Sequence, residues 1–212
     1  MDLTAALGGI VLVNVLAWIT PGPNMLAVMA ASLEHGRRHG IATGFGLAAA
    51  ALVWAMLSVL GVAVVFDLFP RAVVALKLVG ALYLVWLGVR SLKTAVTQRD
   101  SIVVSAQPER RIVQSARSGF LISMTNPKAA LFFSSVMTAF IPGTAPDWFL
   151  VLVVVLCWAL AVVLHAVTAT VFSTALALRI FTRAKRWISA AFGVVFLGLG
   201  GTVAYTALRR SS

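Results

Sequence analysis

Every residue from position 148 to position 164 is apolar, and that run limits what the chain can become. A helix needs about twenty apolar residues to cross the ~30 Å of hydrocarbon in a bilayer. Comparable runs recur along the whole chain of 212 residues, so lipid is the solvent for most of it. Composition agrees. The chain is 61% hydrophobic and 11% charged, with a mean hydropathy of +1.01, whereas soluble domains are about a quarter charged. A cytosolic enzyme, a disulfide-stapled secreted domain and a disordered regulator are excluded. The only cysteine, Cys157, lies inside the run, so no intramolecular disulfide exists and the thiol is a small hydrophobe.

Six spans can be drawn, at roughly 3–33, 41–66, 72–92, 118–141, 148–178 and 187–208. The predicted fold is an all-α polytopic membrane protein. Met1-Asp2-Leu3 lacks the basic stretch of a secretory signal, so the first run is expected to be retained. The first and fifth spans are overlong, and overlong spans tilt, break or begin on the membrane surface.

The net charge of +11 invites a nucleic-acid partner until the cations are placed. Loops 34–40, 90–117 and 179–187 hold twelve of the seventeen Lys and Arg residues, whereas the opposite loops, 67–71 and 142–147, hold only Arg71. By the positive-inside rule the twelve face the cytoplasm and both termini are periplasmic. Arg209 and Arg210 stand on the other side of this assignment, outnumbered twelve to three with Arg71. The cations thus mark topology, and no nucleic acid is needed.

The polar stretch around 92–116 reads as a cytoplasmic linker between a first three-helix repeat at 1–91 and a second at 117–212, in one membrane domain. A shift of 104 residues lays Pro23 on Pro127 and Leu52-Val53-Trp54-Ala55 on Leu156-Cys157-Trp158-Ala159. A shift of 113 lays Gly80 and Gly88 on Gly193 and Gly201. Three spans per repeat invert the second half relative to the first. A 3+3 inverted repeat with helices one and four broken at matching places is a transporter signature, with the site near the midplane.

The first break is Pro21-Gly22-Pro23-Asn24. Two prolines around a glycine interrupt the helix, and the freed backbone groups must meet neighbouring helices, a cavity or a ligand. A half-helix beginning near Pro23 would aim its positive end at an anionic group. The second break is Thr125-Asn126-Pro127-Lys128, with Asn126 placed as a cap and Pro127 at the first helical position. Lys128 is the only Lys or Arg deep in a span. Ten residues beyond Arg117, at ~1.5 Å each, Pro127 lies about 15 Å into the bilayer, and Pro23 reaches a similar depth counted from Glu34. A charge there costs at least ~2.5 kcal/mol, so Lys128 faces water, an anion or the carbonyls of span one.

Trp54 and Trp158 either flank a pocket from spans two and five or simply pack. Ser134, Ser135 and Thr138 either extend a polar stripe or bond their own helix. His165 reads first as an interhelical histidine with its bonds satisfied, and second as a protonation switch. His35 and His39 flank Arg37 and Arg38, whose charges repel a metal, so neither a metal site nor a cofactor is expected. Asp2, Glu34, Asp67, Asp100, Glu109 and Asp147 are all terminal or in loops. No carboxylate is thus available within the membrane to relay protons or to bind a desolvated cation. Nor is there a nucleotide loop or a nucleophile–base pair to support enzyme chemistry.

Three motifs, in order, resemble the LysE/RhtB superfamily of amino-acid exporters: Ile19-Thr20-Pro21-Gly22-Pro23-Asn24, residues 76–88 (LKLVGALYLVWLG), and Thr125-Asn126-Pro127-Lys128-Ala129. The resemblance covers nearly the whole chain and looks closest to the threonine-exporter branch. It implies efflux of a small neutral amino acid, threonine-like or homoserine-like, or of a derivative, across a bacterial inner membrane and driven by the proton-motive force. The substrate-binding residues would be Pro21, Gly22, Pro23, Asn24, Trp54, Asn126, Pro127, Lys128 and Trp158, with His165 and Lys128 as candidates for coupling. The expected partners are an amino acid and the bilayer, with homo-oligomerisation open. A membrane scaffold without transport, an uncoupled channel and a carrier of another small metabolite or ion remain open beside this reading.

Overall fold

The computed structural model describes residues 2–20, 22–68, 72–97 and 111–209. All regular structure among them is helical: α1 (Leu3–Ile19), α2 (Pro23–His35), α3 (Arg37–Leu68), α4 (Ala72–Thr97), α5 (Ile112–Met124), α6 (Pro127–Phe140), α7 (Asp147–Val171) and α8 (Ala175–Arg209). The protein is an all-α polytopic membrane protein. Among the described residues, α3, α4, α7 and α8 are each long and apolar enough to cross a bilayer, and α1 with α2, bent by 54° at their break, is long and apolar enough as a pair, whether as one broken span or as a re-entrant loop. At 13 and 14 residues, α5 and α6 are each too short to cross alone.

Both expected interruptions are present. Thr20 and Gly22 are extended, and α2 starts with Pro23 at its first position. Asn126 is extended and α6 starts at Pro127. A broken helix in lipid leaves carbonyls that something must satisfy. At the end of α1 the Thr20 hydroxyl donates to the Leu16 carbonyl at 2.8 Å. At the end of α5 the Thr125 hydroxyl donates to the Leu121 carbonyl at 2.7 Å. Ser123 carries a further carbonyl there, and the Trp54 indole N–H reaches it from α3 at 3.2 Å. The Leu16 and Leu121 carbonyls also accept the Thr20 and Thr125 amides, so these two hydroxyls add a second bond to carbonyls that the helix already uses, and only the Trp54 bond comes from another helix.

Helix ends differ from the expected spans: α7 stops at Val171 instead of running to 178, and α3 already begins at Arg37. The run 179–187, expected as a loop, forms part of the start of α8. Its Arg, Lys and Ala are good helix formers, and the segment lies ahead of the apolar stretch Arg186–Arg209. At the linker, α4 continues to Thr97 and α5 already begins at Ile112, while residues 98–110 lie outside the described residues. The turn between α2 and α3 is Gly36 at φ 86°, a left-handed conformation that glycine adopts without a Cβ penalty.

Small residues bring the helices together, as lipid offers no hydrophobic force to do so. A Cβ on Gly88, Gly193 or Gly200 would meet the carbonyl of Gly193, Gly88 or Ala81, which explains why α4 and α8 form the most extensive pair. At α3 against α5, a Cβ on Gly46 would collide with the Ala116 carbonyl and one on Gly119 with the Thr43 carbonyl. Gly40 and Gly44 allow α7 to lie equally close to α3. With contacts also to α2 and α6, α3 is the central pillar. The main core gathers Ile10, Leu84, Val136, Phe149 and Phe196 from five helices. Val151, Val155 and Val163 stay exposed on α7, as a surface in contact with lipid should.

Candidate functional site

The two breaks meet. Asn24, in the first turn of α2, donates through Nδ2 to the Ser123 hydroxyl of α5 at 3.3 Å. Its Oδ1 accepts from Nδ2 of Asn126 at 3.0 Å. Asn126 in turn accepts the amide of Lys128 through its own Oδ1, also at 3.0 Å. A polar relay thus runs from the end of α5 through the start of α2 to the start of α6. It is short because the two interruptions lie side by side. The last link is also an N-cap, a contact worth about 1 kcal/mol.

Beside this relay lies a cavity of about 110 Å³. Gly22, Pro23, Asn24 and Asn126 form one wall with Lys128. A Cβ added to Gly22 would sit 3.3 Å from the Lys128 ammonium, so the bare backbone of the first break provides the space beside that cation. Both helix N-termini open here, and each carries partial positive charge. Among the described residues no acidic side chain lines the cavity. The chamber is therefore positive at one wall and offers amide and hydroxyl groups around it, a setting suited to a carboxylate.

The remaining walls come from α1, α3, α6 and α7. Phe132 and Phe133 contribute rings, and Leu47 and Ala51 contribute aliphatic surface. His165 reaches the cavity from α7; it is buried, and its Nδ1 has no hydrogen-bond partner among the described residues. Gly44 makes that placement feasible, since a Cβ there would press on the His165 Cβ at 2.8 Å. The reading of His165 as a fully satisfied histidine therefore does not match the geometry. That nitrogen is itself buried, on a residue that lines the same chamber as Lys128.

The model of the LysE type translocator family matches residues 15–207. The chain belongs to the LysE family. Similar proteins include the threonine efflux protein of Escherichia coli, 27% identical across 90% of this chain and 93% of the relative. A membrane protein of Pseudomonas aeruginosa is 36% identical across 90% of each chain. The leucine efflux protein of Klebsiella pneumoniae is 34% identical over a shorter stretch, 60% of this chain and 59% of its own. No solved structure matches.

In this LysE-family protein the residues expected from sequence separate into groups. Gly22, Pro23, Asn24, Asn126 and Lys128 come together at the cavity. Pro127 opens α6, and Pro21 lies outside the described residues. Trp54 acts from behind, holding the Ser123 carbonyl of a residue that lines the chamber. Trp158 is 40% exposed on α7 and is not among the lining residues. Ser134 and Thr138 bond their own helix, to the carbonyls of Ala130 and Ser134, so they add no polar stripe.

Sequence reasoning passed over Asn14, Trp18 and Ser123. Asn14 bonds the Ile10 carbonyl at 2.8 Å and approaches the Cys157 sulfur at 3.8 Å, lining the cavity from α1. A lone asparagine within an apolar helix was the available signal, because polar groups in a span face the bundle interior. Trp18 and Ser123 carried none, being ordinary residues at their positions.

Proposed function

We propose that this LysE-family protein is a secondary-active exporter of small neutral amino acids, threonine-like or homoserine-like, in the bacterial inner membrane. Supporting the reading are the threonine and leucine efflux proteins among its relatives. The observation that carries it is the cavity between two facing helix breaks, with Lys128 beside Gly22. Lys128 and the N-terminus of α2 take the substrate carboxylate. Carbonyls ahead of Gly22 and the side-chain oxygens of Asn24 and Asn126 take the ammonium. In the structure those oxygens are already engaged with Asn126 and the Lys128 amide, so substrate exchanges with existing bonds and binds weakly. Weak binding suits a carrier that must release its cargo.

In this proposal α5 and α6 join end to end as the remaining crossing, giving six spans in a 3+3 inverted repeat with periplasmic termini. Rocking of one repeat against the other alternates access. His165 and Lys128, the two ionisable side chains at the cavity, couple transport to the proton-motive force.

The test is efflux of labelled threonine from proteoliposomes, with and without an imposed pH gradient. Efflux is expected to accelerate with the gradient and to be lost in Lys128→Met. Absence of efflux for every neutral amino acid tried would overturn the proposal.

A further inference from the structure

A second cavity, of about 170 Å³ and open to the outside along the half-exposed Val167 and Val171, adjoins the first. The two share Trp18 and Met25 as a common wall. Its far side is made by Val167, Val171, Phe172, Phe181 and Ile188, from α7, α8 and the turn between them. Thr168 supplies the only hydroxyl among its lining residues, and that hydroxyl has its proton and one lone pair committed. It donates to the Leu164 carbonyl at 2.9 Å and accepts the Trp18 indole N–H at 2.9 Å. The chamber therefore has no polar hydrogen to spare for a charged ligand and rewards chiefly apolar surface.

Its position relative to the polar cavity is close. Asn24, which belongs to the polar relay, is followed directly by Met25, which lines both chambers, and consecutive Cα atoms are ~3.8 Å apart. A zwitterion held at Asn24 and Lys128 thus has its side-chain carbon within reach of the partition. That partition is adaptable: methionine is flexible and polarisable, and a single hydrogen bond to Thr168 holds the Trp18 ring.

From this juxtaposition we infer that the apolar chamber is a substrate subsite. It receives the aliphatic side chain of a leucine-sized neutral amino acid whose charged end occupies the polar cavity, with Trp18 as a movable partition between them. The inference rests on the transport reading above and extends its substrate class from threonine-sized to larger apolar side chains. One methylene group more or less in such a site changes discrimination by about 10- to 200-fold.

The experiment compares labelled leucine and threonine efflux from proteoliposomes. Val171→Phe and Ile188→Phe fill the chamber from two different helices, and each is expected to lower the leucine-to-threonine efflux ratio by about ten-fold. Trp18→Ala removes the partition and is expected to raise it. Val171→Cys in a Cys157→Ala background, a change small enough to spare the fold, gives an independent readout: leucine is expected to slow labelling by N-ethylmaleimide far more than threonine does. An unchanged ratio in the filling variants, or equal protection by both amino acids, overturns the inference while leaving transport standing and marks the chamber as a crevice for lipid. Wild-type vesicles that export neither amino acid overturn the transport reading and this subsite together.

Discussion

The side-chain amide of Asn126 donates to the side-chain carbonyl of Asn24 at 3.0 Å, across 102 residues of sequence. The same Asn126 oxygen that would otherwise be free caps Lys128. One residue therefore holds the start of α6 and ties it to the start of α2. Asn126→Ala loses both contacts and leaves the half-buried Asn24 underbonded. It is expected to destabilise by about 1–3 kcal/mol, read as a lower thermal midpoint in detergent. Asn126→Ser keeps a capping oxygen without the reach to Asn24, so its loss should be smaller. Equal losses in the two variants would show that the cap contributes nothing.

Gly22 and Lys128 form a second coupled pair. Lys128→Met should reduce efflux at least ten-fold while the protein still accumulates in the membrane. Gly22→Ala places a methyl 3.3 Å from the ammonium. The lysine end can move by a few tenths of an ångström, so the fold should survive, but the cation shifts from its place. An intermediate efflux rate is expected for Gly22→Ala, with stability near wild type. Full activity in Lys128→Met would remove that residue from the site.

The crossing of α3 and α5 is predicted to be intolerant of one methyl group. Gly46→Ala and Gly119→Ala drive a Cβ into the Ala116 and Thr43 carbonyls, and backbone cannot rotate away as a side chain can. Overpacking of about 1–3 kcal/mol or more is expected for each, seen as reduced yield and a lower unfolding temperature. Gly198→Ala is the control, since nothing lies within 4 Å of its added Cβ. Alanine there should be neutral or stabilise by about 0.5–1 kcal/mol through helix propensity.

Orientation can be read by labelling. Cys157 is 1% exposed and should stay silent to a membrane-impermeant maleimide. Thr144→Cys, between α6 and α7, is expected to react in intact cells. Thr182→Cys, in the basic start of α8, should react only after the inner membrane is opened. The reverse pattern would place the termini in the cytoplasm and give Arg209 and Arg210 the greater weight.

How much was legible in the sequence follows from which interactions are local. The apolar run around Cys157 determined the solvent, since no aqueous fold buries so much contiguous surface. Pro23, Asn126 and Pro127 determined where helices stop and restart, because a proline ring and a capping side chain act on their own turn of backbone. Lys128 stood out for the same reason, as a charge whose depth could be counted along one helix. The start of α8 was misread as loop because its arginines signalled topology more strongly than helix propensity.

What only the tertiary structure decided was which faces meet. Trp54 and Trp158 correspond in the two halves, yet one grips the Ser123 carbonyl and the other is 40% exposed. Apolar helices in lipid have no polar face to announce the inside, so rotation about each axis is set by partners far away in the sequence. Glycines at Gly44 and Gly46 settle it by letting particular backbones approach. That approach brings Asn14, Trp18, Ser123 and His165 to one cavity and divides it from the apolar chamber beside it, an arrangement no single segment encodes.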